Sequence, residues 1–168
     1  MKKAIFLDRD GIINYDYGYV GSPEKFELLP NVGEAIKMAN DAGYLVIVIT
    51  NQSGIGRGYY TLDDFSKITE KMNIELAKHN ALIDYVYFCS HAPEENCWCR
   101  KPGTRMFEWA IEDFNIDPVK SWMIGDKITD IIPAKKLGIK TIYSIKNMDT
   151  LKNFIGLIIQ IDKWDEMT

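Results

Sequence analysis

Ala4-Ile5-Phe6-Leu7-Asp8-Arg9-Asp10-Gly11 decides how this chain is read. Its four apolar residues read as a buried strand. Asp8 and Asp10 then stand one residue apart at the carboxyl end of that strand, where open α/β sheets bind ligands. Gly11 lets the backbone turn sharply at that point. Carboxylates this close repel each other unless a cation or a shared proton compensates. An ordinary strand end with an Asp-Gly turn would produce the same string, so the rest of the chain must arbitrate.

Working outward, strand-like runs alternate with helical patterns. Further strands are expected at 44–49, 84–88, 121–125 and 140–144. Between them the pattern predicts a helix capped by Asn31 with Glu34 three residues on, and a second from Thr61 to about His79. A third ends near Phe114, and a fourth runs from Ile128 to Leu137, closed by Gly138. Residues 51–60 read as a Gly-rich loop and 89–103 as a Cys- and Glu-bearing loop. At the end, 148–154 reads as helical and 156–161 as a last strand. Strands alternating with helices imply an α/β fold, a central parallel sheet covered on both faces.

The 168 residues suggest one domain spanning 1–168, large enough to bury a core without disulfide staples. A formal charge of −4 argues against non-specific nucleic-acid binding. No apolar stretch approaches the roughly 20 residues of a membrane span, and no signal peptide is visible. These features lead us to expect a cytoplasmic protein that engages neither nucleic acid nor membrane, and a monomer.

Polar segments recur at or beyond the first four expected strand ends: Asp8 and Asp10, Thr50-Asn51, Arg100-Lys101, and Gly125-Asp126 with Asp130. In a parallel sheet these ends share one edge. Carboxylates, a hydroxyl, an amide and cations together suit magnesium-dependent phosphoryl transfer to a carboxylate nucleophile. Gly54-Ile55-Gly56-Arg57-Gly58 lacks dinucleotide-loop spacing. It reads as a loop framing a substrate, with Asn51 and Arg57 as candidate contacts.

All three cysteines fall in one loop. Cys89-x-His91 and Cys97-x-Cys99 match a tetrahedral structural zinc site. A disulfide and a set of unrelated loop residues are the competing readings.

Asp8-x-Asp10, Thr50, Lys101 and Gly125-Asp126-x-x-x-Asp130 follow the order of the four motifs of the haloacid dehalogenase (HAD) superfamily. Asp8-Arg9-Asp10-Gly11, Gly18-Tyr19-Val20, Thr50-Asn51-Gln52-Ser53-Gly54-Ile55, Arg57-Gly58, Cys99-Arg100-Lys101-Pro102 and Gly125-Asp126-Lys127 narrow this further. Over about residues 4–145 the chain resembles the D-glycero-D-manno-heptose 1,7-bisphosphate phosphatases, whose close relatives hydrolyse histidinol phosphate. The resemblance implies a three-layer Rossmann-like fold with a minimal loop cap and a zinc loop at about 89–99. It implies a phosphatase in nucleotide-activated heptose biosynthesis, serving lipopolysaccharide, capsule or S-layer glycan. A histidinol-phosphate phosphatase is the alternative, and a non-catalytic sugar-phosphate-binding module a remoter one.

By motif match, Asp8 is the expected nucleophile and Asp10 the acid, then base. Magnesium is expected at Asp8, the Asp10 backbone carbonyl and Asp126. Thr50 and Lys101 are expected on phosphate oxygens. Asp130 supports the metal or caps the following helix, and Lys127 is a supporting cation. Arg100 is a candidate for gripping phosphate or a sugar hydroxyl, and Asn14, Asp16 and Tyr19 for facing the substrate. Zinc would fix where Arg100 and Lys101 point without joining the reaction.

Overall fold

The computed structural model describes residues 1–144 and 150–168. Five parallel strands form one sheet in the order β3-β2-β1-β4-β5. They are β1 (Ala4–Leu7), β2 (Leu45–Asn51), β3 (Tyr85–Cys89), β4 (Trp122–Gly125) and β5 (Lys140–Tyr143). The helices are α1 (Val32–Asp41), α2 (Ser53–Gly56), α3 (Leu62–Ala77), α4 (Arg105–Phe114), α5 (Ile128–Lys136) and α6 (Leu151–Met167). The chain winds outward from β1 in both directions, so the crevice between β1 and β4 is the switch point where such sheets bind ligands.

β1 is apolar throughout because both its faces are covered. Ile5 and Leu7 join a core with Val32, Ala35 and Ile36 of α1, Ile68 and Met72 of α3, and Ile155 and Ile158 of α6. Ala4 and Phe6 face the other way, onto Met106, Phe107 and Ala110 of α4 and Ala134 of α5. The expected three layers are present. In-register pairing of Leu7 with Val48 of β2 and Ile124 of β4 lines up the carboxyl ends of three strands.

Thr61 caps α3 in a reciprocal pair: its hydroxyl accepts from the Asp64 N–H (3.1 Å) and the Asp64 carboxylate accepts from the Thr61 N–H (2.9 Å). Three expectations need correction. Asn31 makes no side-chain cap; its backbone is left-handed (φ 63°), and only its carbonyl enters the helix. The Gly-rich segment holds a helical turn, α2, not open loop throughout. The strand expected at 156–161 is the middle of α6. Its β-branched run imitates a strand, but the buried positions Leu151, Ile155 and Ile158 follow helical spacing and pack α6 onto α1. Of the segment expected to be helical at 148–154, residues 148 and 149 lie outside the described residues.

Candidate active site

Asp8 continues directly from β1; its N–H donates to the Ile124 carbonyl of β4 (3.3 Å), which holds it at the switch point. The Lys101 ammonium lies over it. Lys101 Nζ donates to Asp8 Oδ1 (3.0 Å), Asp130 Oδ1 (2.5 Å) and the Ile49 carbonyl (2.7 Å). All three side chains are buried. Burial pushes the Asp8 carboxyl up to about 7, although Lys101 pulls the other way. Burial likewise disfavours the Lys101 ammonium, yet Asp8 and Asp130 outweigh it and raise its pKa. The cation is therefore charged whenever its partners are.

Asn51, at the end of β2, meets the Lys101 backbone with both ends of its amide. It was expected to touch substrate; both its polar ends serve instead to position Lys101. Asp130 makes the helix cap that was one of its two expected roles, and in addition pairs with Lys101. Oδ1 accepts from Lys101, and Oδ2 accepts from the Lys127 N–H (3.2 Å) at the start of α5.

Asp126 follows β4. Its Oδ1 is buried and has no hydrogen-bond partner among the described residues. One carboxylate oxygen each from Asp8, Asp126 and Asp130 lies within 4.8 Å of the others. An orphaned, buried oxygen beside two more carboxylates fits a hard divalent cation such as magnesium. Gly11 makes room for this: a Cβ there would collide with Asp126 Oδ2, and its φ is +91°. Burial raises the Asp126 carboxyl above its ordinary value. The Asp10 side chain lies outside this trio, consistent with an expectation that names only its backbone carbonyl.

Asp10 is gripped from three sides. Arg9 Nε (3.1 Å), Arg9 Nη2 (2.9 Å) and Asn14 Nδ2 (2.9 Å) all donate to Oδ1. Gln52 Nε2 donates to Oδ2 (3.1 Å) and to Thr50 Oγ1 (2.9 Å). Arg9 is almost wholly buried, its guanidinium 5.6 Å from the Phe65 ring centre. Asn14, expected to face substrate, is instead fully buried against Asp10. Sequence reasoning gave Arg9 and Gln52 no role. The available signal was a cation set between two aspartates in a buried segment, which needs a partner.

Cys89, His91, Cys97 and Cys99 converge, with one ligand atom from each within 4.8 Å of the rest. The thiols form no disulfide. The His91 ring presents Nδ1, 3.5 Å from Cys89 Sγ and 3.2 Å from Cys99 Sγ. Three sulfurs and one imidazole nitrogen fit zinc. The loop also rests against α2: a Cβ on Gly56 would lie 2.5 Å from the Ala92 nitrogen.

The remaining candidates are more scattered. Arg57 pairs loosely with Glu94 of the zinc loop (3.8 Å). Arg100 keeps Nη1 buried with no partner among the described residues. Asp16 is exposed and turns its own loop by accepting from the Gly18 N–H (3.0 Å). Tyr19 is exposed, and its ring meets Tyr59 edge-on at 4.8 Å, bridging the two loops. Lys127 is exposed, and Asp8 and Asp126 stabilise its ammonium against the partial desolvation that opposes its charge.

Residues 98–144 match the family model described as HAD-hydrolase-like. The chain is 46% identical over 147 residues to the D-glycero-beta-D-manno-heptose-1,7-bisphosphate 7-phosphatase of Haemophilus ducreyi, covering 83% of this chain and 81% of that one. It is 48% identical over 139 residues to the enzyme of the same name from Helicobacter pylori, covering 82% and 80%. Among solved structures, D,D-heptose 1,7-bisphosphate phosphatase from B. bronchiseptica, complexed with magnesium and phosphate, superposes with a TM-score of 0.88. That match has 27% identity and covers 95% of this chain and 99% of that one.

Proposed function

The chain belongs to the D-glycero-beta-D-manno-heptose-1,7-bisphosphate 7-phosphatase family of HAD-like hydrolases, and from that premise we propose that it removes the 7-phosphate of D-glycero-D-manno-heptose 1,7-bisphosphate. The products are heptose 1-phosphate and inorganic phosphate, within nucleotide-activated heptose biosynthesis. The observation that carries this reading is the buried Asp8–Lys101–Asp130 cluster at the β1–β4 switch point, beside the orphaned Asp126 oxygen.

Asp8 attacks phosphorus and becomes an aspartyl-phosphate. Lys101 and the Thr50 hydroxyl bind the phosphoryl oxygens, whose charge shifts as the bond to the sugar breaks. Asp10 gives its proton to the departing sugar oxygen, then takes one from the water that hydrolyses the intermediate. Asp8, the Asp10 carbonyl and Asp126 would hold magnesium, which when bound offsets the repulsion between an anionic nucleophile and an anionic phosphate. Asp130 keeps Lys101 aimed at Asp8. Cys89, His91, Cys97 and Cys99 would hold a structural zinc, fixing the backbone that carries Arg100 and Lys101. Arg100, whose Nη1 has no partner among the described residues, and Lys127 meet further anionic or hydroxyl groups of the sugar phosphate in this reading. Arg57, Asp16 and Tyr19 belong to the loops around it.

Phosphate release from both anomers of heptose 1,7-bisphosphate and from histidinol phosphate, with and without magnesium, tests the reading. Magnesium-dependent turnover of a heptose bisphosphate well above histidinol phosphate is expected; the opposite preference would overturn it.

A further inference from the structure

Asp10 is held asymmetrically. Among the described residues, its Oδ1 accepts three hydrogen bonds, two from Arg9 and one from Asn14, and Oδ2 accepts one, from Gln52. With Oδ1 filled by a guanidinium and an amide N–H, Oδ2 is the oxygen left open to exchange a proton with the leaving group. Gln52 thus touches the oxygen that must work.

The NH2 end of Gln52 faces Asp10. Oδ2 accepts this N–H with one lone pair whether or not it carries a proton, which leaves its other side open towards the leaving group. The other end, Oε1, accepts from the Tyr60 hydroxyl at 2.5 Å. Tyr60 itself cannot swing: a Cβ on Gly21 would lie 2.6 Å from its ring, and one on Gly54 would collide with it. Gln52 is 2% exposed, so water does not compete for the amide. Its Nε2 also donates to Thr50 Oγ1 at 2.9 Å. Because that oxygen is used as an acceptor, the Thr50 hydroxyl hydrogen is left for another partner. The nearest is the Asn51 carbonyl, at a marginal 3.5 Å.

We propose that Gln52, locked by Tyr60, is a positioning residue that holds Asp10 Oδ2 and the Thr50 hydroxyl in register, so that the acid and the phosphate-binding donor act on one phosphoryl group. This rests on the phosphatase reading above. In the first step a bond forms between an Asp8 oxygen and phosphorus. The ester P–O bond breaks, and its electron pair stays on the leaving oxygen. The proton on Asp10 Oδ2 passes to that oxygen, leaving Asp10 as a carboxylate against Arg9. A displaced Oδ2 impairs this transfer most when the leaving group needs it most.

The test compares phenyl phosphate, a poor leaving group, with p-nitrophenyl phosphate, a good one of nearly the same shape. Leaving-group release is followed in single turnovers of magnesium- and zinc-loaded enzyme, which reports phosphorylation of Asp8 alone. Gln52→Leu removes the donor. Gln52→Glu keeps the volume and the acceptor for Tyr60 but loses the NH2, so the question survives if either variant folds poorly. Each is expected to slow phenyl phosphate about tenfold or more, and p-nitrophenyl phosphate by about threefold or less, a fraction of the effect of a whole general acid. Equal losses on the two substrates, or none, would overturn the proposal. Neither substrate is a sugar, so an incorrect heptose assignment shows up separately, as a wild-type enzyme that ignores heptose bisphosphate.

Discussion

Asn51 clasps Lys101 through its backbone: Nδ2 donates to the Lys101 carbonyl at 3.1 Å, and Oδ1 accepts from the Lys101 N–H at 3.0 Å. An amide joined at both ends ties the end of β2 to the loop after β3, and so fixes the root of the side chain that reaches Asp8. Asn51→Ala should cut kcat by at least about tenfold, since small displacements of a positioned group are costly. It should lower stability by roughly 1–3 kcal/mol for the two lost bonds. Steady-state kinetics and urea unfolding measure both; an unchanged kcat would mean that Lys101 needs no such clasp.

Gly11 makes a second prediction. Its φ of +91° and its contact with Asp126 leave no room for a side chain. Gly11→Ala should push the Asp126 carboxylate away from Asp8. Activity titrated with magnesium should then need about tenfold more metal or worse, with the maximal rate falling less. A variant with the wild-type magnesium requirement would show that Asp126 does not depend on this gap.

What the sequence made legible is the part set by local rules. β1, its two aspartates and the Thr61 cap follow from apolar runs, turn chemistry and capping spacing, and all are where those rules put them. α6 was misread because Ile155, Ile158, Ile159 and Ile161 carry strand propensity, and only the packing against α1 selects the helix. The partners of Asp10 were hidden for a different reason. Gln52 lies 42 residues away and Arg9 adjoins it, and which of many polar side chains turns inward depends on the tertiary fold. The zinc ligands were legible because three cysteines within eleven residues have few other uses.

Asp8 links chemistry to pH. Its carboxyl, ordinarily near 3.8, sits at about 7 in the folded, metal-free protein because burial disfavours the charge. A raised folded-state pKa means the folded protein holds this proton more tightly than the unfolded chain. The stability it contributes is complete below about pH 4 and is lost as pH rises towards 7. Metal-free protein should therefore lose thermal stability across that window, and the stabilisation given by added magnesium should grow with pH. Asp8→Asn should abolish turnover, keep the fold, and flatten both trends. Retained turnover would remove Asp8 as nucleophile; a metal-free melting temperature that rises steadily with pH would show that burial of Asp8 does not govern stability.

The zinc loop carries the last prediction. Cys99 is separated from Lys101 only by Arg100, and Cys89 ends β3, so the four ligands brace both ends of the segment that delivers Lys101. The loop buries few apolar groups of its own, and its short 3-10 turn at Pro93–Glu95 has no buried residue, so packing alone holds it weakly. Removing zinc, by chelation or by Cys97→Ser, should loosen this segment while the sheet stays folded. KM should rise or kcat fall by about tenfold, with far-ultraviolet circular dichroism unchanged, and zinc but not magnesium should restore activity to the chelated wild type. The effect runs through the Arg100 and Lys101 side chains, so it should be weak in an Asn51→Ala background, where the root of Lys101 is already free. Verified zinc-free protein with wild-type kinetics would show that Asn51 and Asp130 suffice to hold the cation.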